Sequence, residues 1–137
     1  MRVCLDTNVL VSAVATRGLC ADLFQTVLAD HQLIVGETVL QELRRVLQQK
    51  IHLPRPTILE LESFLRRHAE VVVDAPPIAV KLRDASDLPV LAEAVAGAAD
   101  VLVTGDRDLL VAANRASVAI LAPRAFWELL RAESGSR

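Results

Sequence analysis

The chain has 137 residues, 53% of them hydrophobic, with a mean hydropathy of +0.38, which supports one domain with its own core and excludes a disordered chain. No apolar run approaches the ~18 uninterrupted residues of a membrane-spanning helix, because Asp100 and Asp106 break the longest candidate. A formal net charge of -2 and a pI near 5.9 exclude coating of nucleic acid by bulk positive charge, although not an enzyme that acts on it.

In chain order, Val3 to Leu5 is a short apolar run that ends at Asp6 and predicts the first strand. Asn8 to Ala15 and Ala21 to Leu28 carry apolar residues at helical spacing, separated by the breaker Gly18. Leu33 to Val35 predicts a second strand, stopped by Gly36. Thr38 is placed to cap the next helix, whose stripe runs through Val39, Leu40, Leu43, Val46 and Leu47. Pro54 and Pro56 punctuate the chain before an amphipathic helix from Ile58 to Arg67. Val71 to Val73 predicts a strand, and Pro76 and Pro77 open a loop that runs to about Asp84.

Asp87 is placed to cap a helix over Pro89 to Ala96, with proline in its tolerated first turn and Gly97 at its end. Val101 to Thr104 is the strongest strand, followed by a helix from Asp108 to Arg115. Val118 to Leu121 predicts the last strand and Arg124 to Ala132 the last helix, before a polar tail over 133–137. Strands alternating with helices predict an α/β domain over residues 1–132. It would have three layers, a central parallel sheet of about four to five strands with helices on both faces.

Cys4 and Cys20 lack metal or disulfide-framework spacing, and MRVCLDTNVL does not read as a signal peptide, which points to a reduced, cytoplasmic setting. His31, His52 and His68 show no ligand spacing. The chemistry therefore rests on carboxylates. In open parallel sheets function gathers at the carboxyl ends of strands, where Asp6 and Asp106 both fall. Asp87 opens the helix that leads into the strong strand, and Glu42 lies beside the apolar stripe of its own helix. Singly, each has a plainer explanation: aspartates after strands suit turns, Asp87 before Pro89 suits a helix start, and Glu42 can pair with Arg44 or Arg45. Together, carboxylates on one edge repel unless a cation sits among them, and oxygen-only donors select Mg²⁺ or Mn²⁺. The absence of GxGxxG and of GxxxxGK[ST] argues against a nucleotide-binding α/β domain, and Asn8 replaces the second aspartate that a haloacid-dehalogenase-type phosphatase needs.

Four stretches in order, VCLDTNVLVSA, LQEL, RDASDLPVLAEAVAGAADVLVTGD and RDLL, resemble the PIN-domain family. They are similar in type to the VapC ribonucleases, the toxin components of bacterial toxin–antitoxin pairs. The resemblance spans about Met1 to Trp127 and implies a parallel sheet, an acidic Mg²⁺ or Mn²⁺ site and metal-dependent cleavage of RNA. It implies that Asp6, Glu42 and Asp106 belong to the catalytic metal-binding set, with Asp87 preferred over Asp84 as the third aspartate. Thr7, Asn8 and Thr104 would support them, and Asp108 would assist or meet a second ion. Arg107 is the nearest candidate for phosphate contact, with Lys81, Arg83, Arg44 and Arg45 further candidates that serve equally as solvated surface. A small antitoxin and a homodimer contact are the implied partners. The apolar faces Ile58, Leu61, Phe64, Leu65 and Leu19, Leu23, Phe24, Val27 are the expected docking surfaces, unless both simply pack inward. The competing expectation is a catalytically silent PIN-like module that binds RNA or protein.

Overall fold

The computed structural model describes residues 1–135. Five strands, β1 (Arg2–Leu5), β2 (Gln32–Gly36), β3 (Glu70–Val72), β4 (Val101–Val103) and β5 (Ala119–Leu121), form one sheet in the order β3-β2-β1-β4-β5, every pair parallel. Among the described residues seven helices connect and cover it: α1 (Thr7–Ala15), α2 (Leu19–Asp30), α3 (Glu37–Gln49), α4 (Arg55–His68), α5 (Leu88–Ala96), α6 (Arg107–Val111) and α7 (Pro123–Gly135). The expected α/β sandwich is therefore present.

Consecutive residues of a strand point to opposite faces, yet Val3, Cys4 and Leu5 are all buried, as are Val101, Leu102 and Val103. Only helices on both sides can do that, which explains the unbroken apolar runs in the sequence. At about 1.5–3 kcal/mol for each fully buried aliphatic side chain, these central strands contribute much of the hydrophobic stabilisation.

The departures from the sequence expectation have local causes. The third strand covers Glu70–Val72 rather than Val71–Val73, because its partner β2 ends at Gly36, opposite Val72. Val73 is then left 58% exposed. The expected helix over Asp108 to Arg115 is two pieces, α6 and a 3-10 turn over Ala113–Arg115. Gly97 does end α5, but with φ -78; Ala98 takes the left-handed conformation, φ 52. A Cβ on Gly97 would come within 2.7 Å of Ile34 and 2.9 Å of Val72, so the glycine is there for close packing. Residues 133–135 of the expected tail continue α7, and Ser136 and Arg137 lie outside the described residues.

The two apolar faces expected to receive partners are turned inward. Leu23, Phe24, Val27, Ile58 and Leu65 are buried in the core, and Leu19, Leu61 and Phe64 pack against it partly covered. Isolated amphipathic helices bury their stripe when a sheet lies beneath them, and α2 and α4 both do.

Candidate acidic site at the sheet edge

From β1 the chain steps outward to β2 and β3, then returns to the other side of β1 as β4. The carboxyl ends of β1 and β4 thus flank the point where strand order reverses, the place where open α/β sheets form their crevice. Pairing of Leu5 with Val103 puts the next residues, Asp6 and Thr104, side by side. The Asp6 amide donates to the carbonyl of Val103 (3.0 Å), and the Thr104 hydroxyl donates to Asp6 Oδ2 (2.7 Å). Asp6 Oδ1 accepts from the Thr7 amide (2.7 Å), capping α1. Asp6, Thr7 and Thr104 are all buried, so this geometry is held from every side.

Each neighbour carries the network outward. Thr7 Oγ1 donates to Glu42 Oε2 at 2.9 Å, bringing α3 to the site. Thr104 Oγ1 accepts from the Asp106 amide (2.9 Å), so one hydroxyl links two aspartates. Asp106 Oδ1 accepts from the amides of Asp108 (2.8 Å) and Leu109 (3.3 Å) and caps α6, a role the sequence pattern did not reveal. Asn8 Oδ1 accepts from the Gly105 amide at 3.3 Å, which ties the two strand-end loops together.

Asp84 and Asp87, alternatives in the sequence, have different surroundings. Asp84 is exposed and accepts from the amide (3.0 Å) and hydroxyl (2.7 Å) of Ser86, which hold its carboxyl below the usual range. Asp84 caps a 3-10 turn over Ala85–Asp87, and Asp87 at the start of α5 makes no cap hydrogen bond. The turn chemistry expected of Asp87 is supplied by Asp84 instead. Asp87 is left facing other carboxylates: one oxygen from each of Asp87, Asp106 and Asp108 lies within 4.8 Å of the other two.

The electrostatics follow from this crowding. Burial, then Asp106, Asp84 and Asp6, pushes the Asp87 carboxyl up to about 6. Burial also raises Asp6, partly offset by Thr104 and Thr7, with Glu42 and Asp106 adding to the rise. Asp87 Oδ2 is shielded from solvent without a hydrogen-bond partner among the described residues. A shielded carboxylate oxygen of this kind can take a water or an ion, and Glu93 Oε1 on α5 is shielded in the same way. An oxygen-only donor set with that vacancy in its hydrogen bonding suits a hard divalent cation of the Mg²⁺ or Mn²⁺ kind. Arg107 is exposed at the first turn of α6, and Lys81, Arg83 and Arg45 are exposed as well. Arg44 is committed to Glu62 by two hydrogen bonds, 2.9 and 2.8 Å.

The sequence pattern also passed over Glu93, which is buried although charged, on α5. The available signal was its place inside LPVLAEAVA, a lone charge with apolar residues on every side.

Comparison with known proteins agrees with this geometry. Two solved structures share the fold at 18% identity, each with 88% of this chain and 97% of theirs aligned. They are VapBC2 from Rickettsia felis bound to a DNA fragment from its promoter (TM-score 0.58) and FitAcB from Neisseria gonorrhoeae (TM-score 0.56). No curated protein matches the sequence. The family model described as PIN domain matches residues 2–108, which include both strand ends and every carboxylate of the acidic edge, and the chain belongs to the PIN domain family.

Proposed function

We propose that the chain is a divalent-metal-dependent endoribonuclease and the toxin half of a toxin–antitoxin pair. The observation that carries this is the orphaned Asp87 Oδ2 beside Asp106 and Asp108, an uncompensated cluster of oxygen donors at the strand-order switch. Mg²⁺ or Mn²⁺ would be held by Asp87 and Asp106, with Asp108 alongside. Asp6 and Glu42 stand outside the 4.8 Å group of Asp87, Asp106 and Asp108 and would join it through the lone pairs that their hydrogen-bonded oxygens retain. When bound, the cation supplies Lewis-acid polarisation of a phosphodiester oxygen and activates water for attack at phosphorus.

The remaining roles belong to side chains. Thr104 orients the Asp6 carboxylate through its proton and anchors the Asp106 backbone through its oxygen, while the amides of Asp108 and Leu109 hold the Asp106 carboxylate. Thr7 orients Glu42 in the same way. Such outer partners fix ligand direction and reduce the reorganisation that accompanies reaction. With its carboxyl pushed up to about 6, Asp87 would hold the cation as the ionised carboxylate, which makes metal binding pH-dependent. Arg107, exposed next to Asp106, is available to a phosphate of the substrate.

The likeness of fold to VapBC2 supports a small antitoxin protein as partner, and a homodimer is the expected assembly of the toxin half. No helix among the described residues is long and apolar enough to cross a membrane, which is compatible with a cytoplasmic site of action. The decisive experiment is RNA cleavage with Mn²⁺, with EDTA, and with Mn²⁺ restored, with mapping of the RNA ends. Cleavage that disappears and returns with the metal is the expected result. RNA that is bound but left intact under all three conditions would instead identify a silent binding module.

A further inference from the structure

We infer that Glu93 is a positioning residue that fixes the first turn of α3 and, through that helix, the carboxylate of Glu42; its link to catalysis rests on the nuclease reading above. The observation begins with a missing cap. Helix α3 starts at Glu37 behind Gly36, which has no side chain to accept from the free amides of the first turn. Thr38, the cap expected from sequence, lies inside the helix and needs an acceptor for its own amide. Glu93, from the middle of α5, supplies it: Thr38 N donates to Glu93 Oε2 at 3.1 Å. A side chain 55 positions later thus caps this helix.

This contact is tightly built. Glu93 is 5% exposed, among the buried residues Val90, Leu91, Ala92 and Ala94. Burying a carboxylate is unfavourable, and the positive end of α3 offsets part of that cost. A Cβ on Gly36 would overlap Glu93 Cδ and Oε1 and lie 2.7 Å from its Cβ. Only glycine lets the carboxylate reach the helix end, so Gly36 and Glu93 act as a lock. The same turn is also held by Arg66, which pairs with Glu37 at 2.7 Å, but that pair is substantially exposed and weakly constraining.

The lock bears on the site through distance along one rigid helix. Glu42 lies four residues beyond Thr38, roughly 6 Å along the axis at ~1.5 Å per residue. Its carboxylate must meet Thr7 Oγ1 at 2.9 Å. Helix α5 begins directly after Asp87 and carries Glu93 on its second turn. One helix therefore sets Asp87 at its start and, through Glu93, the helix that bears Glu42. Loss of the lock frees α3 to shift relative to β1 while the central strands stay packed.

The test uses the isotope-labelled full chain, first without metal. In Glu93→Ala the Thr38 amide should exchange about tenfold or more faster, while amides of β1 and β4 keep their protection. Side-chain NMR cross-peaks between Thr7 and Glu42 should disappear. Glu93→Gln, which retains an acceptor oxygen at the same reach, should restore both. In RNA cleavage Glu93→Ala should lower kcat by about 10-fold with KM within about twofold, and should cost nothing further in a Glu42→Gln background. Thr7–Glu42 cross-peaks that persist in Glu93→Ala, or an equal loss of kcat in both backgrounds, would overturn the inference. If Glu93→Ala fails to fold, Gly36→Ala carries the test, because it displaces Glu93 and should remove the same cross-peaks. A wild-type chain that cleaves no RNA would sink the nuclease reading, whereas the metal-free NMR arm would still decide whether Glu93 positions Glu42.

Discussion

Two groups of carboxylates in this molecule make opposite use of charge. Between α3 and α4, Glu62 takes Arg44 on one side and Arg66 on the other, and Arg66 also reaches Glu37. The paired arginines hold the Glu62 carboxyl below its ordinary range despite its partial burial. At the sheet edge, Asp6, Glu42 and Asp106 are met by amides and hydroxyls, Asp87 and Asp108 face Asp106, and among the described residues none of the five forms an ion pair with lysine or arginine. There, Asp6 and Asp87 are pushed upward. The same residue type is neutralised in one region and left uncompensated in the other. The chain satisfies carboxylates with arginine between α3 and α4, yet leaves the edge, to which α3 also brings Glu42, without such a partner; the proposed cation would take that place.

The largest expected effect breaks the charged edge. Asp106→Asn and Asp6→Asn keep side-chain shape but remove a negative charge, and each should lower RNA cleavage by more than the about 10–100-fold typical of outer partners of a metal site. Circular dichroism should still report a folded chain. Asp87→Asn should match them, whereas Asp84→Asn, which keeps an acceptor oxygen for Ser86 in an exposed turn, should cost less than about tenfold. The reverse ranking in the same assay would exchange the roles of the two aspartates.

A second prediction concerns stability and its dependence on pH. Mn²⁺ that binds only the folded chain should add about 2.7 kcal/mol at a hundredfold excess over Kd, read as a rise in Tm. Without metal the larger contribution between pH 5 and pH 7 comes from Asp87, whose folded pKa of about 6 lies above the ordinary 3.8, opposed by His31, which burial lowers. A carboxyl raised in this way stabilises the fold while protonated, and that contribution is lost as pH rises through the folded value. Metal-free Tm should therefore fall by about 2–6 °C between pH 5 and pH 7. Asp87→Asn should flatten that slope and also reduce the gain from Mn²⁺. A metal-free Tm that climbs over the same interval in the wild type would contradict the crowding.

The smallest effect lies in the neutralised region. Glu62→Gln weakens a largely exposed network, so stability should change by about 0–1 kcal/mol. Cleavage and the Tm gain from Mn²⁺ should stay at wild-type values. A marked loss of metal response would mean that the two carboxylate groups are coupled through α3.

Much of this was legible from local pattern. Apolar runs two faces deep announced a parallel sheet, because such strands can only be covered by helices on both sides. Asp6 and Asp106 could be assigned to one edge because both directly follow strands, and strand ends of a parallel sheet share a side. The choice between Asp84 and Asp87 was less accessible, since the spacing suits either as a turn cap; only the folded turn sends Asp84 to Ser86 and leaves Asp87 against Asp106. Asp108, regarded as accessory, lies within the same 4.8 Å group because the tight first turn of α6 brings its carboxylate back toward Asp106.

What the sequence determined by itself was the order of elements, the burial of the strands and the presence of carboxylates at their ends, all consequences of side-chain period and turn chemistry. The tertiary structure decided which distant groups meet. Thr104 bonds Asp6 across 98 positions because β4 pairs beside β1, a register set by the whole sheet. Glu93 replaces the expected Thr38 cap because α5 crosses the end of α3 where Gly36 leaves space. Local pattern cannot specify such meetings, since packing fixes them and the stretch of chain at either end carries no mark of the other.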